Sequence, residues 1–125
     1  MKKQISKEIG DLGEQAALRI LKHKGHEILH TKWRERHLEV DIISSVQNSV
    51  VFTEVKTRSN LHFGTPDSFV SKKKQSHLIK CANAWCYKEN YFGELRFDII
   101  SIYINKQHKI ISCEHLEDAY YHYNY

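Results

Sequence analysis

Three residues near the middle of the chain have the types and spacing that phosphodiester chemistry uses: Asp41, Glu54 and Lys56. The aspartate lies in the run 38-LEVDIIS-44 and the Glu-x-Lys in 50-VVFTEVKTR-58, and both runs are otherwise largely apolar. Side chains alternate along a strand, so Glu54 and Lys56 share a face with Val50 and Phe52, while Val51, Thr53, Val55 and Thr57 take the other. Only the turn 46-VQNS-49 separates the two runs, and the hairpin it implies can set Asp41 close to Glu54. Two carboxylates in a half-buried sheet repel each other unless a cation neutralises them, and Mg²⁺ or Mn²⁺ takes oxygen ligands of this kind. A lysine beside such an ion can orient or deprotonate a water, or stabilise charge developing on a phosphate oxygen. Together these parts suit phosphodiester hydrolysis.

The tripeptide alone carries little weight. With 10 Glu and 14 Lys in the chain, chance supplies about one Glu-x-Lys. What adds specificity is an aspartate thirteen residues upstream, each acid inside its own apolar run, and a further acid, Glu14, on a preceding amphipathic helix. The competing reading is an ordinary ion pair on the solvent face of a sheet, which contributes little to stability.

The elements that position these residues follow from periodicity. Ile9, Leu12, Gly13, Ala16, Ala17, Ile20 and Leu21 form a helical stripe between Lys7 and Lys24 that ends at Gly25. Strands are expected over 26–33, 38–44 and 50–57, with Leu38, Val40 and Ile42 on one face of the second and Glu39, Asp41 and Ile43 on the other. The loop 59-SNLHFGTPDS-68, with the only proline, is the expected mobile element. A long helix from about Ser71 to Glu89 follows, with Leu78, Ala82, Trp85 and Cys86 on its buried stripe and Gly93 closing it. Two strands, 95–104 and 109–114, flank a turn at Asn105 to His108. The order is αβββαβ plus one strand, a mixed α/β sheet flanked by helices in a single domain of 125 residues.

Composition bounds the rest. At 41% hydrophobic and 27% charged residues the chain has the makings of a packed core, which separates it from disordered sequences. Its apolar runs fall short of the roughly 20 residues of a membrane-spanning helix, and the lysines at its start precede no apolar signal segment, so a cytoplasmic protein is expected. Cys81, Cys86 and Cys113 are odd in number and lack CxxC spacing, which points to reduced, packed thiols. The nine histidines find no convincing third metal ligand around His26/His30 or Cys113/His115. The net charge of +4 permits an acidic partner. Lys72, Lys73 and Lys74 oppose the dipole at the start of the long helix, and with Arg34, Arg36, Lys56 and Arg58 they can form a basic rim that holds a polyanion; a solvated charge run is the alternative.

The blocks 13-GEQAALRILKHKGHEIL-29, 39-EVDII-43, 51-VFTEVKTR-58, 63-FG-64 and 96-RFDII-100 resemble the YraN family of bacterial proteins, over nearly the whole chain. That family is similar to the PD-(D/E)xK nucleases and to archaeal Holliday junction resolvases. The resemblance implies a restriction-endonuclease-like fold. It places Asp41 at the motif aspartate, Glu54 and Lys56 at the E-x-K, and Glu14 as a further acid beside the metal. It also sets Gln75 where a polar helix residue faces the site; for Asp98, in the Arg-Phe-Asp block, a structural hydrogen-bonding role is expected rather than catalysis. Leu38-Glu39 and Lys32-Trp33-Arg34 stand where the family has Gly-Glu and Asn-x-Arg.

The expectation is a Mg²⁺- or Mn²⁺-dependent endonuclease acting on DNA, branched DNA included. Asp41, Glu54 and Lys56 would be catalytic, Asp41, Glu54 and Glu14 would bind metal, and Arg34, Arg58, Lys72, Lys73, Lys74 and Gln75 would contact nucleic acid. A homodimer would match the two-fold symmetry of a junction. Competing readings are a non-catalytic nucleic-acid-binding or partner-recruiting module on the same fold, and a purely structural interaction protein. The tail 119-AYYHYNY-125 offers aromatic surface for stacking on bases or for covering a core edge.

Overall fold

The computed structural model describes residues 2–59 and 70–120, with side chains from Lys7 onward. Helix α1 (Lys2–His23) is followed by strands β1 (Glu27–Glu35), β2 (Leu38–Val46) and β3 (Ser49–Arg58), helix α2 (Lys72–Glu89), and strands β4 (Glu94–Ile104) and β5 (Ile110–Leu116). The expected order of elements is the observed one, with boundaries within a few residues except at the start of α1. Expectations for the loop at 59–68, the Phe63-Gly64 block and the tail beyond Tyr120 fall at residues 60–69 and 121–125, which lie outside the described residues.

The strands form one sheet in the order β1-β2-β3-β4-β5. Short turns make β1, β2 and β3 an antiparallel meander, whereas the α2 crossover makes β4 parallel to β3. Helix α2 covers one face, packing Leu78, Ala82 and Trp85 against Phe52, Phe97 and Ile99. Helix α1 covers the other, packing Ala16, Ala17 and Leu21 against Ile42, Ile100 and Ile102. The α1 stripe stops at Gly25, whose φ of 92° suits a residue without a side chain. Among the described residues, no helix is long and apolar enough to cross a membrane.

Two local expectations are corrected. Helix α2 is closed by Asn90, in left-handed conformation with its N–H on the carbonyls of Cys86 and Tyr87, and not by Gly93. Asparagine tolerates this conformation because its short polar side chain bonds locally. Strict alternation also fails along β2: Val40 packs in the α2-side cluster and Ile42 in the α1-side cluster. On the neighbouring strand Lys32, between the paired residues Thr31 and Trp33, takes a φ of 50°, so regular strand geometry breaks beside Asp41.

Two fixed points hold the sheet to its surroundings. Asp98, fully buried in β4, accepts bonds from Arg96 Nε (2.9 Å) and Nη2 (2.8 Å) and from the Asp118 amide (3.0 Å), and lies 2.7 Å from His115 Nε2. The Lys24 ammonium, which can only donate, is 2.8 Å from His115 Nδ1, so the ring uses Nε2–H to donate to Asp98. Despite its burial, these donors hold the Asp98 carboxyl below its ordinary range. This is the structural role expected of Asp98.

The second fixed point is Gly13, where α1 meets β3 so closely that an added Cβ would lie 1.8 Å from Thr57 Oγ1 and 3.1 Å from Thr57 Cβ. Gly13→Ala should therefore destabilise the protein by about 1–2 kcal/mol in denaturant titration, overpacking outweighing the gain in helix propensity. Adding Thr57→Ala, which removes the hydroxyl, should recover part of the loss. Equal stability of Gly13→Ala and wild type would mean that α1 can shift away without cost.

Candidate metal and phosphate site

Strand β3 is paired with β4 along its whole length, from Ser49 opposite Glu94 to Arg58 opposite Tyr103. Its pairing with β2 stops at Ile42 opposite Thr53. The last half of β3 therefore has backbone groups on its β2 side that need other partners. Asp41 meets the first of them, its Oδ2 accepting from the Val55 amide at 2.7 Å. The bond fixes the aspartate at the fork between two strands. Glu54, the residue before Val55, places its carboxyl within hydrogen-bonding range of Asp41.

Two acids this close cannot both be charged without cost. Burial, and next the charge of Asp41, push Glu54 from its ordinary 4.5 to about 7. Burial also raises Asp41, opposed by the Val55 amide and by Glu54. Both acids are therefore pushed toward the protonated form, which relieves the repulsion between them. Two cations face it: Lys74 Nζ, from the first turn of α2, lies 3.6 Å from Glu54 Oε2, whose side chain is only 14% exposed. Lys56, partly buried and two residues along β3, adds its charge to Glu54 from the same strand.

On the α1 side Asp41 lines a cavity of about 510 Å³ together with Lys7, Asp11, Glu14, Lys32 and Thr57. The close approach at Gly13 carries Glu14 there. Glu14 is raised chiefly by burial; Lys32 lowers it and the charge of Asp41 raises it, so it feels the pair electrostatically. Lys32 Nζ donates to Asp11 Oδ1 at 3.3 Å. Among the described residues, no three acid, histidine or cysteine side chains converge closely enough to bind a metal on their own. Asp41 and Glu54 are brought together; Glu14 stands on the same cavity as Asp41 but apart from the pair. The donors are all carboxylate oxygens, and two acids set this close favour positive charge between or beside them, as the Lys74 ammonium at Glu54 shows. This fits Mg²⁺ or Mn²⁺, which is commonly held by one or two carboxylates with water and substrate phosphate completing its shell.

The residues expected to contact nucleic acid separate into groups. Lys72 and Lys73 are exposed at the start of α2, and Arg58 is exposed at the end of β3. Lys74 belongs to the acid pair. Arg34, largely exposed, donates to Glu39. Arg36 occupies the β1–β2 turn, with a φ of 59°. Gln75 donates through Nε2 to the Val70 carbonyl at 2.9 Å, which ties down the chain entering α2. Sequence reasoning missed Asp11 and Lys32. Asp11 was findable as the i−3 neighbour of Glu14 on one helix face, but the left-handed Lys32 has no local signal. In the tail, Tyr120 covers a core edge, stacked on Phe97 with centroids 5.1 Å apart. Of the two histidine and cysteine groupings, His26 lies 2.8 Å from Ser44 Oγ, and His115 serves Asp98.

Comparison with known proteins locates the chain. Residues 13–102 match the model of Uncharacterised protein family UPF0102, the same family as the YraN proteins. The UPF0102 protein of Flavobacterium johnsoniae is 44% identical over 120 residues, covering 93% of this chain and 96% of that protein. The UPF0102 protein of Flavobacterium psychrophilum is 40% identical over 116 residues with the same coverage, and that of Caldicellulosiruptor saccharolyticus is 36% identical, covering 91% of this chain and 98% of that protein. These names state no activity.

The raised Glu54 has a consequence for stability. Because its folded pKa of about 7 lies above its ordinary 4.5, its proton-linked contribution is fully present below about pH 4.5 and is lost as pH rises through 7, an effect of up to about 3 kcal/mol. Glu54→Gln, which can donate permanently to Asp41, should match wild type near pH 4.5 and exceed it in metal-free stability at pH 8. Denaturant titrations at both pH values test this; parallel pH profiles would remove Glu54 as the raised acid.

Proposed function

We propose that this chain, which belongs to the uncharacterised protein family UPF0102, is a divalent-metal-dependent endonuclease acting on DNA in the cytoplasm. The observation that carries this reading is the close Asp41–Glu54 carboxyl pair at the strand fork, with Asp41 anchored on the Val55 amide and Lys74 and Lys56 beside Glu54. A fold can host many activities, so the reading rests on this site and not on family likeness. A protein that needed only a stable sheet gains nothing from two partly buried acids at a strand fork.

Asp41 and Glu54 would hold Mg²⁺ or Mn²⁺, with Glu14 placed to take up water or a second-layer contact across the cavity. The ion would supply Lewis-acid polarisation of a phosphodiester oxygen and a bound water of lowered pKa. Asp41 is pre-oriented by the Val55 amide, so little reorganisation of this side chain would be needed to hold the ion. Lys56 would orient the attacking water or donate to a non-bridging phosphate oxygen. Lys74, 3.6 Å from Glu54 Oε2, would be placed to pair with a phosphate oxygen beside the acid pair. Lys72, Lys73 and Arg58 would hold the DNA backbone, and branched DNA is the substrate that the resemblance to Holliday junction resolvases implies.

A second reading is a nucleic-acid-binding module without turnover, favoured by the exposed cations Lys72, Lys73 and Arg58, which can hold a polyanion without any metal. Cleavage separates the two. Purified protein should cut supercoiled or four-way-junction DNA with Mg²⁺ or Mn²⁺ and not with EDTA. Asp41→Asn/Glu54→Gln should abolish cutting. Lys56→Ala should lower the rate by about 10²-fold or more while leaving DNA affinity within a few-fold. Binding without cutting by folded wild type would favour the module, and a Lys56→Ala protein that cuts normally would remove Lys56 from the chemistry.

A further inference from the structure

The outer face of α2 has a composition that its packing does not explain. Leu78, Ile79, Cys81, Ala82 and Trp85 point into the core. Lys73, Lys80 and Tyr87, seven residues apart, follow one another along the solvent face at steps of about 10 Å. Lys72 and Asn83 flank this line, and the only acid in the helix is its last residue, Glu89. Of the five lysines in α2, Lys74 is paired with Glu54 and Lys88 with Glu35 at 2.7 Å. Among the described residues, Lys72, Lys73 and Lys80 have no acid partner. The line ends at a cleft of about 650 Å³ lined by Cys86, Tyr87, Asn90, Tyr91 and Phe92. Tyr91 is fixed there, donating to the Glu94 carbonyl at 2.8 Å. Tyr87 and Phe92, in contrast, are 88% and 90% exposed, a large apolar area left in water.

We propose that this face of α2 is a nucleic-acid track, with Lys73 and Lys80 on backbone phosphates and an unpaired nucleobase seated at the Tyr87–Phe92 cleft. The unmatched positive charge calls for a polyanion, and a regularly spaced one suits lysines at a fixed interval. Exposed aromatic rings beside such a line select a base, because every base has a π-face and stacking tolerates any sequence. A fully paired duplex keeps its bases stacked internally and would reach the lysines only. The track therefore favours DNA with unpaired nucleotides, such as single strands, flaps or open junctions. It begins at the turn of α2 that carries Lys74, so it leads away from the Asp41–Glu54 pair. The inference deepens the nuclease reading but rests only on its DNA-binding part.

The test is fluorescence anisotropy with single-stranded, flapped and fully paired oligonucleotides at fixed salt, on the Glu54→Gln background so that no probe is cut. Tyr87→Ala/Phe92→Ala should weaken binding to the unpaired probes about tenfold or more and to duplex less than about twofold. Lys80→Ala should weaken all probes alike and reduce the salt dependence by about one counterion. All these positions are exposed, and circular dichroism would confirm that the variants stay folded. Unchanged affinity of the aromatic variant for single strands would overturn the proposal. So would an equal loss on duplex, or a change confined to self-association in sedimentation, which would make the cleft a contact for a second copy. Failure of the nuclease reading shows separately, as wild type that binds these probes and cuts none.

Discussion

Everything at the centre of this protein depends on keeping two carboxyl groups together in a partly buried sheet. Mutual repulsion and lost hydration both oppose it by pushing the acids toward their protonated forms, and the chain answers with one backbone donor and two lysines. The backbone donor is the subtle element. If β2 had continued to pair with β3 beyond Thr53, the Val55 amide would be spent on the ladder and Asp41 would have no anchor. The fork between the strands leaves that amide available, and the aspartate side chain stands in for the missing strand.

The remaining architecture holds this fork open and braced. On one side α1 lies against β3 without a side chain between them at Gly13, which brings Glu14 to the cavity that Asp41 lines. On the other, α2 delivers Lys74 to Glu54. Ser71 caps the helix by accepting from the Lys74 amide at 3.1 Å, and Gln75 holds the Val70 carbonyl, so that first turn is set by its own short-range bonds. Deeper in the sheet, Asp98 is a carboxylate handled in the opposite way. It is more deeply buried than either acid of the pair, but it is satisfied by Arg96, His115 and an amide, and so is held charged and inert. Comparing the two shows why burial alone does not mark a reactive acid: the partners decide.

Helix α2 also divides its surface by task. Its inner face is a core stripe, its first turn reaches the acid pair, and its outer face carries lysines that lead to the exposed Tyr87, with exposed Phe92 just beyond the helix. A helix packed on only one side is free to vary its solvent face, and a face without acids over most of its length is a choice that stability does not require.

Much of this was determined by the sequence alone. Periodicity defined all seven elements because burial of one face imposes a repeat of 3.6 or 2.0 on the residues themselves. The hairpin turn and apolar setting singled out Asp41, Glu54 and Lys56, and the blocks around them identified the family. Only the tertiary structure decided where β2 leaves β3, that Val40 and Ile42 face opposite sides, that Asn90 ends α2, and that Lys74 meets Glu54 while Glu14 stays apart. Each of these depends on contacts between residues distant in sequence or on a single departure from regular backbone, such as Lys32 at φ 50°. A periodic pattern averages over such departures, so they stay invisible until the packed chain settles which polar group has which partner.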